Sequence, residues 1–407
     1  MKSIRFLHAA DLHLDSPFIG LAHAPKSVLD SIRESTFHAL DNLVQTAIEK
    51  QVDFVLITGD LFDNEKQSLK AQIRLKKAFE LLASQNIMVY LSYGNHDYIK
   101  GNIHPITYPD NVCIFPDEQV RSFVYYKKDQ PLAKIYGFSY ENRAVTEGKT
   151  SEYIISDTTI PFHIAMLHGS IQSNTDHDMY APFQLSELVE KDFQYWALGH
   201  IHQRQVLKET PPVIYPGNIQ GRHRKETGEK GCYLVELSPS TCETQFVPLQ
   251  AIQFSKLSVN ATACSEIHQL EQEIQKACRH LVEDHPQMVD LSIVGDQKRL
   301  AAWEQEGLLE EVIEISNASM QSELHWCHIF RYRPEVDYST IDPFLYEGDH
   351  FIGELVRQID EASIQPLLKD LYKQKQARKY VETLSEEEAE QIKNEAQHIL
   401  IKGLMEE

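Results

Sequence analysis

Basic charge is scarce in this chain. Its 407 residues hold 39 Lys and Arg against 60 Asp and Glu, a formal net charge of −21 with histidines neutral. That balance excludes nucleic-acid binding by overall positive charge, because phosphates are gripped by Lys and Arg. Cysteine is sparse too. Cys113, Cys232, Cys242, Cys264, Cys278 and Cys327 are scattered, with no C-x-x-C pair, and read as buried thiols rather than a disulfide framework or a zinc site. No apolar run approaches the roughly 20 residues that span a bilayer. The start MKSIRFLHAADLHLD turns to His and Asp too early for a signal peptide. A soluble, cytoplasmic protein is expected. There is no internal repeat or low-complexity tract, and 42% apolar with 24% charged residues indicates ordinary globular material.

Short apolar runs do recur: Ile4 to Ala10, Phe54 to Thr58, Met88 to Tyr93, Phe162 to Leu167 and Tyr195 to Leu198. Each is rich in β-branched and aromatic residues and too short for a core helix, so each predicts a buried strand. Between the first two, Val28, Ile32, Leu40, Leu43, Val44, Ala47 and Ile48 repeat at helical spacing; between the next two, Ile73, Leu75, Phe79, Leu81 and Leu82 do so less cleanly. Strand alternating with helix predicts α/β layers. From about residue 251 the texture changes to strand, helix, strand, another helix and strand up to IFRYRP, a small α/β module. After Pro343 the chain turns helical. The expected division is 1–250, 251–340 and 341–407. Acidity concentrates late: residues 1–250 carry 24 basic and 30 acidic side chains, residues 251–407 carry 15 and 30. Runs such as WEQEGLLEEVIE read as solvated helix faces.

A polar cluster directly follows each of the five predicted strands: Asp11 and His13; Gly59, Asp60 and Asp63; Gly94 to Asp97 (GNHD); His168 and Gly169; Gly199, His200 and His202. Ligands of layered α/β proteins bind beyond the carboxyl ends of strands, so these clusters converge. Carboxylates and imidazoles buried together need a neutralising partner, and a metal ion supplies one. Two Asp, one Asn and four His without Cys suit Mn, Fe or Zn. Seven ligands are too many for one ion but divide between two if a carboxylate bridges. Two such ions clamp a phosphate and activate water, so the implied chemistry is phosphoester hydrolysis.

As an ordered set, these motifs resemble the calcineurin-like metallophosphoesterase superfamily over roughly residues 1–250. The resemblance implies a four-layer metallophosphoesterase β-sandwich flanked by helices, with a small α/β capping domain and a helical C-terminal tail. It implies one ion on Asp11, His13, Asp60 and His202, and a second on Asp60, Asn95, His168 and His200. His96 matches the family's non-ligand histidine, which assists the leaving oxygen, and Asp63 and Asp97 match the positions beside it, with Asp63 expected to orient His96 by a hydrogen bond in the catalytic site. GDLFDN and GNHD disfavour the phosphoprotein phosphatases. FLHAADLHLDSP, GDLFD, ALGHIH and YPGN at Tyr215 to Asn218 are similar to the SbcD-type DNA-repair nucleases, and IQGRHRKETGEKG to their YhaO-type bacterial subgroup.

That likeness implies manganese-dependent hydrolysis of DNA, homodimerisation through helices beside the GNHD loop, and a C-terminal helical segment bound by an SMC-like coiled-coil ATPase of the SbcC type. Phe351, Ile352, Leu355, Val356 and Ile359 form the stripe expected to dock it, the alternative being packing on the protein's own core. Arg222, His223, Arg224 and Lys225 are the densest basic patch near the ligands, and Arg222, Arg224 and Lys225 are expected to contact DNA. Two other functions fit the same residues: hydrolysis of a small nucleotide ester, and scaffolding of the ATPase with a vestigial site.

Overall fold

The structure is a computed structural model of the chain, described over residues 3–16, 18, 24–63, 67–101, 106–172, 180–282, 285–321, 325–336, 351–364, 389–390, 392–393 and 396. The chain forms two compact units, Met1–Glu335 and Val336–Glu407. In chain order the strands are β1 (Ile4–Ala9), β2 (Phe54–Thr58), β3 (Met88–Ser92), β4 (Val112–Ile114), β5 (Arg121–Lys127), β6 (Gln130–Gly137), β7 (Phe162–His168), β8 (Tyr195–Gly199), β9 (Gln205–Glu209), β10 (Pro212–Tyr215), β11 (Gly231–Leu237), β12 (Cys242–Pro248), β13 (Gln253–Asn260), β14 (Gln287–Gly295) and β15 (Cys327–Val336). The helices are α1 (Lys26–Glu49), α2 (Leu69–Ser84), α3 (Leu185–Val189), α4 (Ile267–Leu281), α5 (Gln297–Gln305), α6 (Leu308–Met320) and, in the second unit, α7 (Phe351–Glu361).

Two six-stranded sheets, ordered β12-β11-β1-β2-β3-β4 and β5-β6-β7-β8-β10-β9, stack face to face. Strand alternation explains the stacking. In β2, Val55 and Ile57 join Leu40, Leu43, Leu75 and Phe79 in a core beneath α1 and α2. Phe54 and Leu56 point the other way and meet Ile164, Met166, Tyr195 and Ala197 between the sheets. The outer face of the second sheet, with Trp196 and Leu198, is covered by Tyr140, Tyr153, Leu188 of α3 and Phe193. This is the mixed α/β layering of the metallophosphoesterase fold. β1, β2, β3 and β4 run parallel, as do β6, β7 and β8. The carboxyl ends of β1, β2 and β3 therefore lie at one edge of the first sheet, and those of β7 and β8 at one edge of the second.

The periodicity of α1 matches its buried face, from Val28 and Ile32 to Ala47. In α2 only Leu75, Phe79 and Leu82 of the expected stripe are buried, whereas Ile73 and Leu81 are 40% and 48% exposed. A third sheet, β13-β14-β15, packs against α4, α5 and α6 over its own core of Leu270, Ile274, Leu291 and Leu309. Two helices stand where the sequence predicts one, because Gly307 takes a left-handed φ of 75° between α5 and α6. The acidic side chains of that segment, from Glu304 to Glu314, are exposed as expected. In α7 the expected stripe splits: Phe351 is 70% exposed and Val356 is buried. The side chain of Ile352 and the KDLYKQKQARKY stretch lie outside the described residues. Among the described residues no helix is long and apolar enough to cross a membrane.

Candidate metal centre

The loop after β1 is sewn to the loop after β2 by backbone bonds: Asp11 N to Gly59 O at 3.2 Å, His13 N to Asp60 O at 3.0 Å and Leu14 N to Leu61 O at 2.9 Å. The backbone there is forced. Asp11, His13, Asp60 and His200 have φ of 52°, 42°, 51° and 99°, a region that costs a non-glycine residue about 1–3 kcal/mol. The strain is offset by what it achieves, which is to aim four polar side chains inward. Space for them comes from glycine. A Cβ on Gly59 would lie 2.1 Å from His168 Nδ1, and one on Gly94 2.2 Å from Asp60 Oδ1.

Three groups of donors result among the described residues, one of them His13 with Asp63 and His96, and the other two made of the expected ligands. Asp11, His13 and His202 each offer an atom within 4.8 Å of the others, as do Asp60, His168 and His200. Asn95 Oδ1 joins the second group, 3.0 Å from His168 Nε2 and 3.1 Å from His200 Nδ1. Asp60 Oδ2 sits between the groups, 3.5 Å from His168 Nε2 and 3.8 Å from His13 Nε2. Asp11 also accepts the backbone N–H of His200 at 3.1 Å. The structure thus gathers all seven candidate ligands.

The rings are oriented from behind. His168 Nδ1 donates to the Thr58 carbonyl at 3.0 Å, which turns Nε2 toward Asn95 and Asp60. His202 Nδ1 lies 2.7 Å from Glu226 Oε1. A carboxylate only accepts, so this Nδ1 carries the proton and Nε2 is bare. His13 Nδ1 lies 3.3 Å from Asp63 Oδ1, off the line of a well-aligned hydrogen bond. The two Nε2 atoms face each other 3.0 Å apart. With no hydrogen bond on its Nδ1, His13 can carry its proton on Nε2 and donate it to His202, and a metal held by both nitrogens would take the place of that proton. The donor set therefore fits a divalent metal, by its chemistry and by its orientation.

Burial and charge shift the acids and bases strongly. Burial lowers His13 to about 3, aided by Arg222. For His168 burial also lowers the pKa, but Asp60 and Asp11 outweigh it and raise the ring to about 9. Burial raises Asp11, whereas in Asp60 the burial effect is overcome by His168 and His13 and the carboxyl falls well below its ordinary range. Asp97 is raised to about 7 by burial and by Asp60, while Leu61 N and Gly94 N donate to it at 2.6 and 2.7 Å. Asp97 braces the loops after β2 and β3.

His96 stands at the rim. Its backbone N–H donates to Asp60 Oδ1 at 3.0 Å and its Nδ1 lies 2.9 Å from the backbone carbonyl of Asp63. Asp63 thus meets His96 through its main chain, and its carboxylate turns to His13 and Arg222. Arg222, expected at the DNA backbone, is folded inward: its Nη1 meets the Asp63 carboxylate and lies 3.4 Å from Ser16 Oγ, and its side chain is only 13% exposed. The half-buried Asp63 and the buried Glu226 hold it there. Arg224 is half-buried and Lys225 exposed on the same loop. Sequence reasoning missed Glu226, 7% exposed, together with Asn218, whose Nδ2 donates to Glu226 at 2.9 Å, and Lys230, whose Nζ donates to the His202 carbonyl at 3.2 Å. A single acid ending the basic run RHRK was the available signal.

Paired carboxylate and imidazole clusters at the strand ends of a two-sheet α/β sandwich define a metal-dependent phosphoester hydrolase. The chain belongs to the calcineurin-like phosphoesterase family, whose model matches residues 4–204. A Bacillus subtilis protein described as the uncharacterized metallophosphoesterase YhaO is 38% identical over 406 residues, 99% of this chain and 98% of that one. Two proteins described as the DNA double-strand break repair protein Mre11 are more distant relatives. The Thermoplasma acidophilum protein is 24% identical across 71% of this chain and 77% of its own. The Sulfolobus acidocaldarius protein is 21% identical across 90% and 98%.

Proposed function

We propose that the protein is a two-metal DNA nuclease, with manganese as its metal and DNA as its substrate. The observation that carries the metal reading is the gathering of Asp11, His13 and His202, and of Asp60, His168 and His200, each set with its ligand atoms within 4.8 Å of one another. Asp11, His13, Asp60 and His202 would hold one ion, and Asp60, Asn95, His168 and His200 the other, with Asp60 shared. When bound, two divalent ions supply Lewis acidity toward a phosphate oxygen and ease deprotonation of water. Around them, the chain orients and transfers protons. His96 donates Nδ1–H to the Asp63 carbonyl, and the imidazolium form would also carry Nε2–H, which it would give to the departing sugar oxygen while becoming neutral imidazole. Gly59 and Gly94 keep side chains out of the space the ligands need.

DNA is favoured as substrate by the relatives described as double-strand break repair proteins. The test offers linear duplex DNA, single-stranded DNA and a small chromogenic phosphodiester with Mn²⁺. Cleavage of DNA is expected. Hydrolysis of the small diester with both DNAs intact would sink the nuclease reading, and bound metal with no hydrolysis at all would favour scaffolding. Lys225 and Arg224 are the loop residues we assign to the DNA backbone.

We also infer a homodimer, supported by Leu69 and Ile73 on adjacent turns of α2, 65% and 40% exposed. Replacing both with Glu should shift sedimentation from dimer to monomer. An SMC-like ATPase as partner of residues 341–407 is the accompanying proposal, and co-purification with such an ATPase tests it.

A further inference from the structure

We propose that Arg222 is a positioning residue that sets one of the two metal positions, by clamping the two carboxylates that orient His13 and His202. The inference rests on the metal reading above and adds a part that no ligand supplies.

The clamp can be followed atom by atom. Asp63 Oδ1 lies 3.3 Å behind His13 Nδ1, and Glu226 Oε1 lies 2.7 Å behind His202 Nδ1. The guanidinium of Arg222 spans the two acids: Nη1 meets Asp63, and Nη2 lies 3.7 Å from Glu226 Oε1. The main chain of Arg222 adds a second grip, its N–H donating to Glu226 Oε2 at 2.7 Å. Nη2 also approaches His202 Nδ1 to 3.2 Å. That nitrogen already gives its proton to Glu226, so here the guanidinium is a neighbour rather than a donor.

Two largely desolvated carboxylates that share one cation, the half-buried Asp63 and the buried Glu226, stay ionised and in place. Without the cation they repel each other, and protonation or an outward swing of either removes the acceptor behind an imidazole. The ring is then free to rotate or change tautomer, and its Nε2 no longer faces the metal position. Groups behind metal-ligating histidines commonly contribute ten- to hundredfold to metal affinity. A guanidinium suits the task because its planar fork donates to Asp63 while its charge reaches Glu226 at 3.7 Å, whereas an ammonium is a point charge.

The clamp serves one half of the site. The second group depends on a backbone carbonyl, Thr58 O, behind His168. Arg222 therefore matters to the ion near His13 and His202 and little to the one near Asn95.

The test titrates metal-stripped full-length protein with Mn²⁺ by calorimetry. Wild type should take up two ions. Asn95→Ala should weaken one of them. Arg222→Gln should weaken the other by ten- to hundredfold, and the double variant should weaken both. Arg222→Lys should recover only part of the loss. In ¹⁵N spectra of the metal-free protein, His202 should hold its proton on Nδ1 in wild type and show mixed tautomers in Arg222→Gln. Where Arg222→Gln fails to fold, Glu226→Gln breaks the same clamp and should give the same one-ion pattern. Wild-type binding of both ions by Arg222→Gln would overturn the proposal, as would weakening of the same ion that Asn95→Ala weakens. No Mn²⁺ uptake by wild type would overturn the metal reading itself, so the two failures are distinct.

Discussion

Asp60 is the side chain on which both halves of the site depend. Its Oδ2 lies between His168 and His13, and its Oδ1 anchors the backbone of His96. Asp60→Ala should abolish manganese-dependent hydrolysis and reduce metal uptake at both positions, and retained activity would refute its shared role. His96→Ala should leave metal content intact and lower turnover by roughly 10²–10⁴, the range of positioned acid–base groups. Loss of metal in that variant would make His96 a ligand instead. His168 supplies a pH test. Burial lowers its pKa, but Asp60 and Asp11 outweigh burial and raise the ring to about 9 in the metal-free protein. Below pH 9 it therefore holds a proton that a metal must displace. Manganese affinity should fall as pH drops from 9, and a flat profile between pH 6.5 and 8.5 in calorimetry would count against this. The same shift stabilises the metal-free fold fully below pH 6.5, and that contribution is lost as pH rises through 9. The seven candidate ligands were legible in the sequence because each sits directly after an apolar run. Glu226 and the inward turn of Arg222 were not, because which charges of RHRKE face inward depends on Asp63 and Ser16, more than 150 residues from Arg222 in sequence, and on His202, which Glu226 meets only in the fold.

Strand ends place these residues, so the elements have their own weak points. Gly199 closes β8 against the first sheet: a Cβ there would lie 2.0 Å from the Thr58 carbonyl and 2.9 Å from His168 Nδ1. Backbone cannot yield as a side-chain tip does. Gly199→Ala should cost at least the roughly 1–3 kcal/mol typical of overpacking, read as a lower urea midpoint, and should displace His168 from Thr58 so that metal uptake falls as well. Normal stability and uptake would show that the two loops can separate freely. The same geometry shows why some elements were readable and others were not. β1, β2, β3, β7 and β8 are buried nearly throughout, and continuous apolar text announces them. β9 and β12 alternate or lie half-exposed at sheet edges, with Glu209, Glu243 and Thr244 among their residues, and nothing in a one-dimensional pattern separates them from loops. The break between α5 and α6 turns on Gly307 alone, inside a run that otherwise keeps helical periodicity.

For the whole molecule the governing quantity is charge. A net −21 opposes a polyanionic substrate at a distance, and residues 1–250 alone carry 24 basic against 30 acidic side chains. Two divalent ions would add four positive charges where the phosphate must bind, offsetting most of that excess locally. Arg222 adds little, since its charge is already shared by Asp63 and Glu226. DNA affinity should therefore be created by the metals. With Ca²⁺ in place of Mn²⁺ to hold cleavage back, fluorescence anisotropy at low salt should show weak binding of labelled duplex, near the micromolar or weaker range of non-specific complexes. Chelation or Asp60→Ala should abolish it. Reversing Lys225 to Glu should weaken it further, because the substitution puts a repelling carboxylate where an ammonium would meet a phosphate. Tight binding that survives chelation would mean that a basic surface other than this site holds the DNA, and would remove the reason for a second, DNA-gripping subunit.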